Sequence, residues 1–189
     1  TKTRSPARNP ASGIDTTSFV NKDFKGNLID YDDNMSACSR MYEADLDNVY
    51  DVPADKIYWM DSATNERMQT TSPTCNFRVM IGENEFNYLI GGITVNREIK
   101  KDEMMGEIAE AAGSGENWKE AWALKKSISK SAEWVENAGE AALWYPNKRQ
   151  LLVKFDGYTL TVLAPGHSFN QEEKALDRDY KKIALEMAE

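Results

Sequence analysis

The stretch Gln150-Leu-Leu-Val-Lys-Phe-Asp-Gly-Tyr-Thr-Leu-Thr-Val162 decides the architecture. Apolar residues alternate along both arms, Leu151, Val153 and Phe155 before the centre, then Tyr158, Leu160 and Val162 after it. That is the period of strands with one buried face. Between the arms, Asp156-Gly157 supplies the positive φ values that a two-residue type I′ turn needs. The segment predicts an antiparallel hairpin, with its second arm running to Ala164.

Working outward, the run Ala141 to Tyr145 reads as a strand. A second pair of strands is expected at Phe77 to Ile81 and Phe86 to Val95, with Gly82-Glu-Asn-Glu85 as the turn between them. Helical spacing governs other stretches. Cys38, Met41, Tyr42, Leu46 and Val49 recur at three- and four-residue steps, and Pro53 ends that pattern. Met60 to Thr74 is polar and leads into a proline, as a surface loop would. Met104, Met105, Ile108 and Ala112 begin a second helical pattern. Gly113-Ser-Gly115 breaks it, and Trp118, Ala121, Trp122 and Ile128 resume it. Leu176, Tyr180, Ile183, Ala184 and Met187 form a closing helix, with Lys181-Lys182 past its acidic start. The expected fold is α+β: an antiparallel β-sheet covered by helices, built from loosely duplicated helix-plus-hairpin halves.

Residues 1–30 differ from the rest. The first thirteen are nearly devoid of apolar side chains and contain two prolines, and Ile14 to Tyr31 adds only scattered ones such as Phe19, Phe24, Leu28 and Ile29. They read as a flexible N-terminal linker, followed by a single domain over 31–189. A net charge of −8 argues against a nucleic-acid partner, because phosphate binding needs a basic surface. No run approaches the roughly 20 apolar residues of a membrane helix. A signal-peptide core is lacking too, so an exported form would start after a cleaved signal.

Cys38 heads the first helical pattern and Cys75 heads the first strand pattern. Two cysteines so placed could staple the helix start to the strand start, which points to an oxidising compartment. Two separate buried thiols in a cytosolic domain is the alternative.

Ser36-Ala-Cys38 with a helix after it, followed by Thr74-Cys75-Asn-Phe77 opening a hairpin, resembles small bacterial extracytoplasmic lipoproteins of unknown function. Trp134-Val-Glu-Asn-Ala-Gly-Glu-Ala-Ala-Leu-Trp144 and the hairpin after it are similar to their second half, and the likeness spans about residues 34–188. Ala138 departs from the glycine more usual there, and no lipidation cysteine precedes Thr1. The resemblance implies a Cys38–Cys75 disulfide, export, a lipid anchor ahead of Thr1 as the sole membrane attachment, and no known activity.

Other constellations point to no chemistry. Two cysteines and one distant histidine fall short of a zinc site. His167, in Ala164-Pro-Gly-His-Ser-Phe169, reads as incidental to a turn, with Ser168 or Asn170 capping the last helix. Asp30-Tyr-Asp-Asp-Asn34 and Asp45-Leu-Asp47 lack the glycine and the bidentate glutamate of a calcium loop, and read as solvated acidic surface. Met104-Met105 is too small a set of soft ligands for copper. Trp118, Trp122, Trp134 and Trp144 are a heavy supply of aromatics, either core or a ligand surface. The functional expectation is a non-enzymatic extracytoplasmic module, without catalytic residues, metal or cofactor, that binds a partner protein or a small apolar ligand. The alternatives are an enzyme using acidic-loop carboxylates and a cytosolic structural protein.

Overall fold

A computed structural model describes residues 13–32, 37–41, 46–62, 73–167 and 178–189. Its strands are β1 (Ile57–Asp61), β2 (Thr74–Met80), β3 (Tyr88–Arg97), β4 (Glu133–Val135), β5 (Ala141–Tyr145), β6 (Gln150–Phe155) and β7 (Tyr158–His167). They form one seven-stranded antiparallel sheet in the order β1-β2-β3-β7-β6-β5-β4. Two meanders, one from each half of the chain, are thus joined through β3 and β7. The helices are α1 (Ala37–Met41), α2 (Leu46–Tyr50), α3 (Gly106–Ala112), α4 (Trp118–Ile128) and α5 (Tyr180–Ala188). The fold is α+β, with helices packed against the sheet.

The β6–β7 hairpin forms about Asp156-Gly157, with Gly157 at φ 77° and Phe155 opposite Tyr158. Leu151 faces Val162 and Val153 faces Leu160, and all four are buried. The side chains of this face join Phe77, Val79, Ile93 and Trp144 in the main core, which α1, α2 and α5 cover with Cys38, Met41, Leu46, Tyr50, Ile183 and Met187. A smaller core on the opposite face lies under α4, where Trp118 and Trp122 pack with Ala141, Leu143 and Tyr145. Strand β5 is buried on both faces because it serves both cores.

Cys38 and Cys75 are disulfide-bonded, at a sequence separation of 37, and both are fully buried. The bond pins α1 to β2.

Several elements depart from the sequence reading. Met60 and Asp61, expected in a loop, complete the edge strand β1, whose Trp59 packs on Phe77 across the ladder. Residues 63–72 of that expected loop lie outside those described. Phe86 does not open β3. Asn84 Oδ1 accepts its backbone N–H, so Phe86 stays in the turn, 71% exposed. The first helical pattern appears as α1 and α2, with 42–45 outside the described residues. Met104 and Ile108 are exposed, at 95% and 61%, and α3 instead buries Gly106 and Ala109. The three-residue strand β4 is too short to show a period.

Strand β7 runs through Pro165-Gly166 to His167, whose backbone pairs with Leu89, so His167 is not in a turn. Proline is tolerated because the register shifts there, between Ile90 and Gly92, and no ladder donor is required of it. Gly91 fits opposite: a Cβ on it would meet Pro165 Cγ at 2.6 Å and Phe77 Cζ at 2.8 Å. The cap of α5 is Asp179, whose carboxylate accepts the Lys182 N–H at 3.0 Å. Ser168 and Asn170 lie outside the described residues, as does Leu176.

Of the expected linker, residues 1–12 lie outside those described, while 13–30 form a strap fastened to the domain. Asn21 donates through its side chain to Gly139 O and through its backbone to Glu140 O. Asn27 and Asp156 exchange a reciprocal pair of hydrogen bonds, at 2.8 and 2.9 Å. The strap starts on the α4 face, with Phe19 against Trp118 and Trp134, and ends on the opposite face at Ile29, whose carbonyl accepts from Tyr158 Oη. Paired side-chain amides, which an apolar-periodicity reading does not register, hold it there.

Removing the disulfide with Cys38→Ala and Cys75→Ala should lower the unfolding free energy by about 3 to 4 kcal/mol, the chain-entropy value for a loop of this size. Guanidinium unfolding of the oxidised wild type and the double variant measures it. A difference near zero would show that α1 is held without the bond.

Candidate functional site

The helix-covered face of the sheet is not filled throughout. Between α1, α5 and the sheet lies a cleft of about 550 Å³. Its floor is Ile93 and Val95 of β3, Leu160 and Tyr158 of β7, and Val153 and Phe155 of β6. Ala37 and Met41 form one wall, and the end of α5, Leu185 to Glu189, forms the other. Leu28, Ile29 and the β4–β5 turn, Asn137 to Gly139, make the rim.

Each part has a local cause. Alternation puts Ile93, Val95, Val153 and Leu160 on the face away from the Thr and Asn side chains of β3 and β7. The disulfide holds the α1 wall, as Cys38 sits between Ala37 and Met41. Asn137 and Gly139 take left-handed backbone, at φ 61° and 57°, which turns the chain sharply at the rim. Tyr158 closes one corner, its hydroxyl donating to Ile29 O at 3.0 Å and its ring 5.0 Å from that of Phe155. Leu28 projects at the mouth, 97% exposed. The lining is thus mostly aliphatic and aromatic, with Asn137, Tyr158, Glu186 and Glu189 bearing its side-chain polar groups.

The four tryptophans do not converge on this cleft. Trp118 and Trp122 are buried in the smaller core, where Trp122 Nε1 donates to Gly113 O at 2.9 Å. Gly113 is at φ 77°, and a Cβ there would meet Trp122 Cδ1 at 2.7 Å. Trp144 points to the opposite face, into the main core. Trp134 is half-buried and stacked on Phe19 at 4.0 Å between ring centroids. Three of the four are 5% exposed or less. The strap and the two-sided burial of β5 account for that heavy supply of aromatics.

The described acidic-cluster residues Asp30, Asp32 and Asp47 do not line the cleft. Among the described residues, no group of three or more His, Cys, Asp or Glu is placed to hold a metal ion. The strongly lowered carboxyls are elsewhere: Glu103, held at about 2 first by the Arg97 hydrogen bond, and Asp15, held at about 2 first by Ser18 and then Thr17. Behind the cleft floor, between Val153 and Phe155, Lys154 is 2% exposed on the opposite face. Its Nζ donates to Glu98 Oε2 and to Phe155 O, both at 2.7 Å, and lies 5.8 Å from the Trp118 ring centroid.

Comparison of the chain with protein-family models, curated proteins and solved structures gives no match.

The Lys154–Glu98 pair predicts an asymmetry. Glu98→Gln leaves a buried ammonium without its counter-charge and should cost about 1 to 3 kcal/mol, whereas Lys154→Met leaves a carboxylate that water already reaches and should cost less. Thermal unfolding of the two variants tests the order. Equal losses, or a larger loss for Lys154→Met, would mean that the ammonium's own hydrogen bonds, the one to Phe155 O included, matter more than its counter-charge.

Proposed function

We propose that this chain is a non-enzymatic, extracytoplasmic binding module whose cleft between α1, α5 and the sheet takes a small apolar ligand. One observation carries the reading: an open cleft of about 550 Å³ in the main core, floored by aliphatic and aromatic side chains and polar only at its edge. Ligand sites commonly have volumes of ~300–1,000 Å³, an apolar lining and a few orienting polar groups. An acyl chain or a small hydrophobic ring matches this lining, and Asn137 and Glu186 at the rim suit a polar end left near water.

The disulfide supports an oxidising, extracytoplasmic compartment. The resemblance to small bacterial lipoproteins supports the finer reading, a cell-envelope protein with a lipid anchor ahead of Thr1. Apolar side chains of a partner protein are the second class of occupant, and the exposure of Leu28 at the mouth favours their consideration.

Titration with a fluorescent fatty-acid analogue tests the reading. The wild type should bind it saturably, and Ala138→Trp, which places an indole at the rim, should abolish binding while the thermal midpoint stays within about 2 °C. No saturable binding, or binding unchanged by Ala138→Trp, would refute the cleft as the site.

A further inference from the structure

The end of the sheet opposite the cleft rim carries two arginines that form no ion pair among the described residues. Arg149 ends the short 3-10 turn Pro146–Lys148 in left-handed conformation, φ 51°. Its guanidinium lies against the backbone of Gly166 in β7, where any Cβ would collide with Nε and Cζ. The ring of Tyr180, at the start of α5, is 5.6 Å from its Cζ. Arg178 lies two residues before that ring. Its Nη1 donates to Val49 O at 2.8 Å and its Cζ sits 4.8 Å from the Tyr50 ring centroid. Both arginines act electrostatically on Tyr50, whose hydroxyl donates to Pro165 O at 3.0 Å, next to Gly166.

No carboxylate among the described residues forms an ion pair with either arginine, although Arg97, Lys119, Lys154, Lys181 and Lys182 all have one. The Nε of each is buried without an acceptor. In a chain with 31 acidic and 23 basic side chains, two half-buried guanidiniums without a counter-charge among the described residues stand out. A buried donor without an acceptor, and a like-charge pair without an anion, both cost free energy that an anionic ligand would recover. Burial pushes the Tyr50 phenol up from its ordinary value, so it stays neutral and adds no negative charge to the cluster.

We propose that Arg149 and Arg178 form a binding site for a dianionic phosphoryl group, with Gly166 and the Tyr50 and Tyr180 rings holding the two guanidiniums in place. Each guanidinium presents a planar fork of donors that matches two oxygens of a phosphate. A phosphate monoester, at about −1.5 to −2 near neutral pH, balances both charges, whereas a monocarboxylate balances one. The site is separate from the apolar cleft and does not depend on the function proposed for it.

Isothermal titration with inorganic phosphate, at ionic strength held constant with sodium chloride, tests the proposal. The wild type should bind saturably, and Arg149→Gln and Arg178→Gln should each weaken binding by about tenfold or more. Circular dichroism melts confirm that each variant is folded. Arg149→Gln, at a surface turn, serves if Arg178→Gln disturbs the Val49 contact. Glycerol phosphate and vesicles of phosphatidic acid, against phosphatidylcholine, separate a soluble monoester from a lipid headgroup as the source. Absence of saturable binding to the wild type in all arms, or binding that folded Arg149→Gln retains in full, would overturn the proposal.

Discussion

Strands β3 and β7 come from opposite halves of the chain, and the rest of the structure depends on the ladder between them. Ile93 faces Val162 and Val95 faces Leu160 on the core side, while Thr94 faces Thr161 on the other. Without this pairing the three-stranded and four-stranded meanders would each present an unpaired edge and an uncovered apolar face. Pairing turns two marginal sheets into one, wide enough for α1 and α5 to lie on the same face. The ladder accommodates its one irregularity through composition: Pro165 at the register shift, and Gly91 where no side chain fits.

The candidate site inherits its form from that seam. Its floor spans β3, β7 and β6, so the cleft cannot exist in either half alone. One wall is fastened covalently, through Cys38 to Cys75, and the other rests on Ile183, Ala184 and Met187 of α5. α5 also connects the two ends of the sheet. Its first turn carries Tyr180 beside the arginines, and its last turn carries Leu185 to Ala188 at the cleft.

Elements with a strong local signal were legible in the sequence. Asp156-Gly157 and its two alternating arms located the central hairpin, and Trp118 with Trp122, one helical turn apart, located α4. The cysteine positions indicated where helix and sheet could be stapled. What escaped was decided by contacts between distant segments. Met60 and Asp61 of β1 read as the start of a loop until β2 pairs with them, and β4 is too short to show a period. Pro165-Gly166 reads as a turn until Gly91 makes room for it. The cleft was hidden for the same reason, because its rim and wall join Leu28, Ala138 and Ala188 from three parts of the chain. Phe19 and Val20 of the strap pack onto the smaller core beside its tryptophans, and the strap is fixed by Asn21 and Asn27 rather than by an apolar pattern.

Native-state hydrogen exchange measures the dependence on the β3–β7 seam most directly. If the seam joins the meanders into one cooperative unit, the amides of β3 and β7 near Ile93 to Val95 and Leu160 to Val162 exchange only through global unfolding, with one shared free energy. Exchange of β1 to β3 through an opening of lower free energy, with β5 to β7 still protected, would contradict the account.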